Sequence, residues 1–409
     1  MTNPDRAMVD ATISRRQVLA SAGALLSGAC LDDDASDQGA SRASRIRIEE
    51  PEHLSGNIGL AHWFSTSTIE PLLAIASEMY PEVSIEANTF QTRLRAERAI
   101  ADSLVDSAPP DLFQTVLGDE LARYGGMAEL ESVPSIAAEE DLIWDGLGDL
   151  ILFKGEPFAV PVSVAPTNAI HIHENRMEDA GMSLDNVSDP IEFLDLLKEE
   201  KIFGMVPSGN SRFRLLAQVI LGQFGPETYL DISEGALFME PLRAAIALAE
   251  KIESKAVTLS GNSDNGDHKA CAIQMYTPAH GIDADAWTVA PFPGTDGLTP
   301  VHATGFCLAK RGRDRRSATA VLELLHDGVL QLEIASVGGR LPSLTSHREW
   351  PAPLAELLTI MNQSEAIVPA VSTGCGLDSN NRWRAVRLLD DNGWTDQTTL
   401  GDELGSILR

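Results

Sequence analysis

The chain predicts an α/β fold with a parallel sheet, and three observations carry that expectation. Short apolar runs closed by turn residues alternate with segments of helical period. Near the amino end the order is strand, helix, strand, helix, strand, the mark of βαβ units. Apolar residues make up 44% of the 409 residues, an ordinary share for a globular protein with a real core.

The body begins near Gly56 with Ile58-Gly59-Leu60-Ala61-His62-Trp63-Phe64, a short apolar strand ending in aromatics. Residues 71–80 form a helix with Pro71 in its first turn, where a missing N–H is tolerated. A second strand over 83–87 and a second helix over 92–107 follow. Pro109-Pro110-Asp111-Leu112-Phe113-Gln114 then turns into a third strand. Ligands of such sheets bind beyond the carboxyl ends of the strands, which singles out 63–68 and 114–120.

Phe158 to Val164 reads as a β segment interrupted by Pro161. A second α/β region carries helices near 190–200, 213–224 and 241–255. After Ala290-Pro291-Phe292-Pro293-Gly294, a β segment over 301–308 leads into one helix over 315–334, and the carboxyl end is helical. The polar loop 260–267 lacks the ligand spacing of an EF-hand and is read as surface.

Upstream of the body, Ser14-Arg15-Arg16-Gln17-Val18-Leu19 has the pattern of a twin-arginine export signal. The apolar stretch after Arg15 and Arg16 is about half the ~20 residues a spanning helix needs. It ends in small residues before Cys30, as in a cleavable signal whose cysteine is acylated. Leu26 stands four residues before Cys30, where the usual lipobox has leucine at three. Residues 1–30 are therefore read as signal peptide and 31–53 as a disordered tether, since Asp32 to Ser44 has no apolar periodicity.

The 60 acidic and 31 basic residues leave a net charge of -29, which excludes nucleic acid as partner. With Cys30 assigned to lipid, Cys271, Cys307 and Cys375 have no zinc spacing and make no disulfide scaffold. Cys307, within an apolar run, is expected to be buried. His171 and His173 share a strand face without a third ligand at recognisable spacing, so no metal is assigned; His280 and His302 are candidate cleft histidines. No P-loop, G-x-S-x-G elbow, H-E-x-x-H or dinucleotide fingerprint is present. The chain is read as a non-enzyme without a cofactor.

Several strings, in order, resemble the extracellular solute-binding proteins of the carbohydrate ABC importers, a family that includes maltose-binding protein. They are His62-Trp63-Phe64, Pro109 to Gln114, Ala159-Val160-Pro161-Val162 with Asn168, Glu178-Asp179-Ala180-Gly181, Lys269-Ala270 and Ala290 to Gly297. The nearest likeness is to the glucose/mannose-type binding lipoproteins. The resemblance implies a two-lobed periplasmic-binding-protein fold of type II, with the ligand between lobes joined by crossing segments. It implies an amino-terminal lobe of 54–163 and 306–340 and a second lobe of 164–304 and 343–409. The crossings implied are 160–168, 301–308 and 339–343.

It further implies ligand contacts at Trp63, Phe64, Ser65, Gln114, Glu120, Asn168, Thr304 and Arg340. Several positions depart from the glucose-type pattern: Phe64, Ile69, Val116, Thr304, Gly338 and Thr373 replace residues that the relatives use. One wall keeps an aromatic platform and amide or carboxylate groups, while the other has lost most charged contacts, so a different solute is implied. The function implied is a monomeric, lipid-anchored protein in the periplasm or at the cell surface. It captures a sugar-like solute for an ABC permease. The alternative is a transport-inactive sensor or interaction protein of the same fold.

Overall fold

The computed structural model describes residues 53–105, 109–127, 129–133, 144, 146–185, 187–197, 202–233, 239–259, 271–275, 287–295, 297–337, 339–344, 352–373, 376–377 and 379–408. Arg15, Arg16, Cys30 and the tether up to 52 lie outside these residues, as do 260–270, His280 and Cys375.

β1 (Gly56–His62) runs parallel to β2 (Val83–Thr89), from Gly56↔Val83 to His62↔Thr89. Between them lies α1 (Thr66–Met79), which starts ahead of Pro71 because Ser65 caps it. The Thr68 N–H donates to Ser65 Oγ at 3.2 Å, satisfying a donor that the helix cannot. α2 (Arg93–Val105) leads to β3 (Leu112–Val116), parallel to β1 through Leu60↔Leu112. α3 (Asp119–Gly126) opens with Asp119 and Glu120, favourably placed at the positive end of the helix dipole. Short pieces follow: β4 (Leu130–Glu131), α4 (Leu147–Leu150) and the paired β5 (Leu152–Phe153) and β6 (Glu156–Pro157).

β7 (Ala159–Pro166) is continuous through Pro161, where an interruption was expected. The register against its antiparallel partner shifts opposite Pro161, and such a bulge tolerates a residue without an N–H. The second region holds β8 (Ala169–His173), α5 (Glu174–Asp179), α6 (Pro190–Leu196), β9 (Phe203–Met205), α7 (Gly209–Ser233) and α8 (Met239–Lys255). It closes with β10 (Val257–Thr258), β11 (Ile273–Gln274) and β12 (Trp287–Pro291). α7 outlasts the expected helix and kinks at Gly225, whose φ of 80° precedes Pro226.

β13 (Leu298–Ala309) is the long strand on which the fold turns. After it come α9 (Arg315–Glu323), a 3-10 turn over Leu324–His326 and α10 (Gly328–Val337), so the single helix expected over 315–334 is two. The break is chemical. Asp327 Oδ1 accepts the N–H groups of Val329 (2.7 Å) and Leu330 (3.0 Å), making Asp327 a helix start. The remainder is β14 (Leu341–Pro342), α11 (Ala352–Gln363), β15 (Ala366–Pro369), α12 (Ser379–Asn392) and α13 (Gln397–Ile407).

Two sheets result. The larger has the order β14-β7-β13-β3-β1-β2, with β4 and β15 also pairing to β13; the smaller is β10-β9-β11-β8-β12. Each backs onto its own apolar core. The first includes Leu60, Phe113, Val162 and Phe306; the second includes Phe193, Phe203, Leu216 and Phe292. Each such side chain removed from water contributes about 1.5–3 kcal/mol. β13 crosses between the cores, with Leu298 in the second and Val301 to Ala309 lining the first. β7 and β8 cross likewise, Ala169 belonging to the first core and Ile170 to the second. α11 packs on the first core through Leu354, Leu357 and Ile360. No helix among the described residues is long and apolar enough to cross a membrane.

Candidate functional site

The end of β1, the start of α1 and the residues before β14 line an open cavity of about 550 Å³. Trp63, Phe64, Ser65, Ser67, Thr68, Val337 and Arg340 line it. Four of the expected contact residues, Trp63, Phe64, Ser65 and Arg340, are therefore brought together.

Each is held by its surroundings. Trp63 is half-buried and its backbone N–H donates to Gln114 Oε1 at 3.0 Å, fixing where the chain leaves β1. Phe64 turns into the first core and meets Phe306 edge to face, with ring centroids 6.1 Å apart. The Arg340 guanidinium lies 6.0 Å from the Phe64 ring centre, within cation–π range. Ser65 is exposed but occupied: besides capping α1, its Oγ is 2.7 Å from Thr68 Oγ1 and 2.9 Å from Ser67 Oγ. The cavity thus offers an aromatic face, three hydroxyls and one cation.

The other expected residues lie elsewhere or behind. Gln114 is fully buried, supports Trp63 from beneath, and its Nε2 has no hydrogen-bond partner among the described residues. Glu120 is fully buried and accepts the Arg123 Nε at 3.1 Å, in the turn that also stacks Arg123 on Tyr124. Thr304 Oγ1 is 2.8 Å from Ser163 Oγ and ties β13 to β7. Asn168 Nδ2 donates to Thr295 Oγ1 (3.0 Å) at the β7–β8 crossing. Glu120, Asn168 and Thr304 are absent from the cavity lining.

Among the histidines, His62 Nε2 is 3.1 Å from Thr89 Oγ1, and burial lowers its pKa. His171 is buried and pushed down to about 3, first by burial and then by the Arg214 charge. His173 packs against the Trp287 ring at 5.2 Å, and among the described residues no group of three metal-ligating side chains forms. Burial pushes the thiol of Cys307 well above its usual range, and Cys271 is likewise buried without a disulfide. His302 on β13 is held well below its usual pKa by burial and by Arg340, Arg93, Arg382 and Arg214.

Sequence reasoning did not find these three further arginines, nor Val337. No local signal marks them. Ser67 and Thr68, by contrast, sit in the post-strand segment that the sheet argument had singled out.

A mixed α/β molecule with two main sheets, each on its own core, and strands that cross between the cores is the two-lobed type II periplasmic-binding-protein fold. No protein-family model matches the chain, and no curated protein matches it. Solved structures do. A chitin oligosaccharide binding protein superposes with a TM-score of 0.73 at 12% identity, covering 87% of this chain and 98% of that one. The GacH receptor of Streptomyces glaucescens, solved unliganded and with acarbose, gives 0.67 at 15% identity, covering 86% and 97%. A family 1 extracellular solute-binding protein from Bifidobacterium longum subsp. infantis gives 0.62 at 18% identity, covering 86% and 98%.

Proposed function

We propose that the protein is an extracytoplasmic solute-binding protein that captures a carbohydrate or sugar-like solute for an ABC importer. The observation that carries this reading is the cavity in which Trp63 and Phe64 meet Ser65 and Arg340. An aromatic face stacks the C–H side of a sugar ring, and the hydroxyls and guanidinium meet its polar edge. The chitin oligosaccharide binding protein, the acarbose-bound receptor and the family 1 solute-binding protein named above support it, since the architecture is shared. Ligand contact is assigned to Trp63, Phe64, Ser65 and Arg340, with Gln114 as support.

The lobes are proposed at 54–163 with 306–340 and 164–304 with 343–409, α11 leaning on the first. Binding favours the closed arrangement by as much as the solute prefers it to the open one. Arg15 and Arg16 are assigned to export and Cys30 to a lipid anchor. The chain then works as a monomer in the periplasm or at the cell surface beside its permease.

Calorimetry and thermal-shift screening against mono- and oligosaccharides test the reading. A stabilising, saturable sugar is the expected result. A closed conformation that no solute changes would refute it. The internal bonding of Glu120, Asn168 and Thr304 favours one alternative, a sensor or interaction protein that has kept the fold and lost transport. A sugar-import defect in a deletion strain would exclude that alternative.

A further inference from the structure

Gln331 of α10 is 1% exposed, and every hydrogen-bonding position of its amide is used. Nε2 donates to the Pro161 carbonyl at 2.8 Å and to the Leu325 carbonyl at 2.7 Å. Oε1 accepts the backbone N–H of Ser343 at 3.1 Å and that of Leu344 at 3.2 Å. An amide side chain has two donors and two acceptor positions, so none is left over. All four partners are backbone groups, and they come from three separate parts of the chain.

Those parts differ in kind. Leu325 belongs to the 3-10 turn before α10. Pro161 lies in β7 where the ladder to β13 passes from Ser163↔Thr304 straight to Pro161↔Gly305, skipping Val162. Ser343 and Leu344 follow β14, which pairs with β7 through Leu341↔Val164 and Pro342↔Ser163. The Ser343 N–H also reaches the Val162 carbonyl, at 3.2 Å. One side chain therefore joins α10 to a strand that leads from the first core towards the second, and to the segment after β14.

α10 in turn carries part of the cavity. Val337 is its last residue, and the Arg340 N–H donates to the Ala335 carbonyl at 2.9 Å, so both lining residues are built on the end of this helix. α10 also packs against α1, whose first turn supplies Ser67 and Thr68 to the same cavity. Leu330 and Ile334 anchor it in the first core. Gln331 itself does not line the cavity. Burying an amide among apolar side chains is costly unless its bonds are made, and here they tie backbone to backbone.

We propose that Gln331 is a positioning residue: it holds the cavity-bearing end of α10 in register with the crossing segments, so that a solute received at Val337 and Arg340 biases β7 and the segment after β14. The inference rests on the cavity being the solute site, and adds the joint through which binding reaches the hinge. Crossing residues absorb the change when lobes close, and coupling requires an element that both ends bias.

The test uses the purified full-length protein. Gln331→Met keeps the length of the side chain and loses all four bonds. Gln331→Glu keeps the acceptor for Ser343 and Leu344 and loses the donors, and it serves if Gln331→Met does not fold. Leu322→Ala, in α9 on the same core and outside the cavity lining, is the control for lost packing. Hydrogen exchange without solute should be at least about tenfold faster in Gln331→Met at 65–69, 160–164 and 339–344 together. Residues 83–89 and 112–116 should change no more than they do in Leu322→Ala. Gln331→Glu should loosen 160–164 and spare 339–344. Calorimetry with maltose, cellobiose and N,N′-diacetylchitobiose forms the second arm. Any of these that binds the parent should bind Gln331→Met at least about tenfold more weakly and Leu322→Ala unchanged. Exchange that rises evenly through the first core would overturn the inference whatever the affinity, leaving Gln331 a bracket of the core. Selective exchange at unchanged affinity would overturn it as well. Selective exchange with none of the three sugars bound would sustain the positioning role and count against the carbohydrate reading instead.

Discussion

Gln114 Oε1 receives the backbone N–H of Trp63 at 3.0 Å, a bond between the ends of two parallel strands 51 residues apart in sequence. The bond decides where the chain turns out of the sheet and so where the Trp63 ring stands. Gln114→Leu keeps the volume and leaves a buried N–H without its acceptor. Denaturant titration should find stability lower by about 1–3 kcal/mol, with weaker solute binding in the folded fraction. Unchanged stability and affinity would mean the bond does not position Trp63.

Trp63→Ala separates a stacking residue from a core residue. The ring is half-buried, packs on the first core and lines the cavity. Lost stacking should weaken binding by about 1 kcal/mol, with a comparably small loss of stability. A fully buried aromatic truncated to Ala would cost about 3–5 kcal/mol of stability instead. The melting temperature without solute, followed by calorimetry, tells the two apart; a large fall in melting temperature at constant affinity removes Trp63 from the site.

At Gly305 of β13 the backbone of β7 leaves no room for a side chain. A Cβ there would stand 2.4 Å from the Val160 carbonyl oxygen, a backbone atom that cannot swing aside. Gly305→Ala should destabilise by about 1–3 kcal/mol, as overpacking does. Equilibrium unfolding checks it, and a variant as stable as the parent would show that β7 and β13 separate more readily than this packing implies.

His171 gives the fold a dependence on pH. Its pKa is pushed down to about 3 by burial and the Arg214 charge, while the unfolded side chain titrates near 6.5. Between those values the unfolded chain holds the extra proton, so stability falls as pH falls from about 6.5 towards 3 and levels off below. His302 and His62 are lowered in the same direction and steepen the same limb. Unfolding free energies measured from pH 7 to 4 should fall less steeply in His171→Gln. Parallel curves would place the proton elsewhere.

Cys30→Ser should release the protein from the membrane fraction without altering the melting temperature of the body, because Asp32 to Ser44 carries no apolar periodicity to pack on it. A membrane fraction that persists after the substitution would remove the lipid assignment.

The sequence by itself determined what depends on neighbours along the chain. The first βαβ units, the Cys307 apolar run and the aromatic end of β1 were all legible, because periodicity and strand ends act over a few residues. Local chemistry still outvoted pattern where a cap intervened: Asp327 divided one expected helix into two, and Ser65 started α1 before Pro71. Tertiary structure alone decided which of the candidate residues meet. Arg340 reaches Phe64 from far along the chain, while Thr304 is drawn to Ser163 across 141 residues. Glu120 could have faced a cleft or an arginine; burial of its carboxylate demanded a cation, and Arg123 in the next turn supplied one. That the charges of Arg93, Arg214 and Arg382 lower the pKa of His302 left no trace in any local stretch, because charge acts through space.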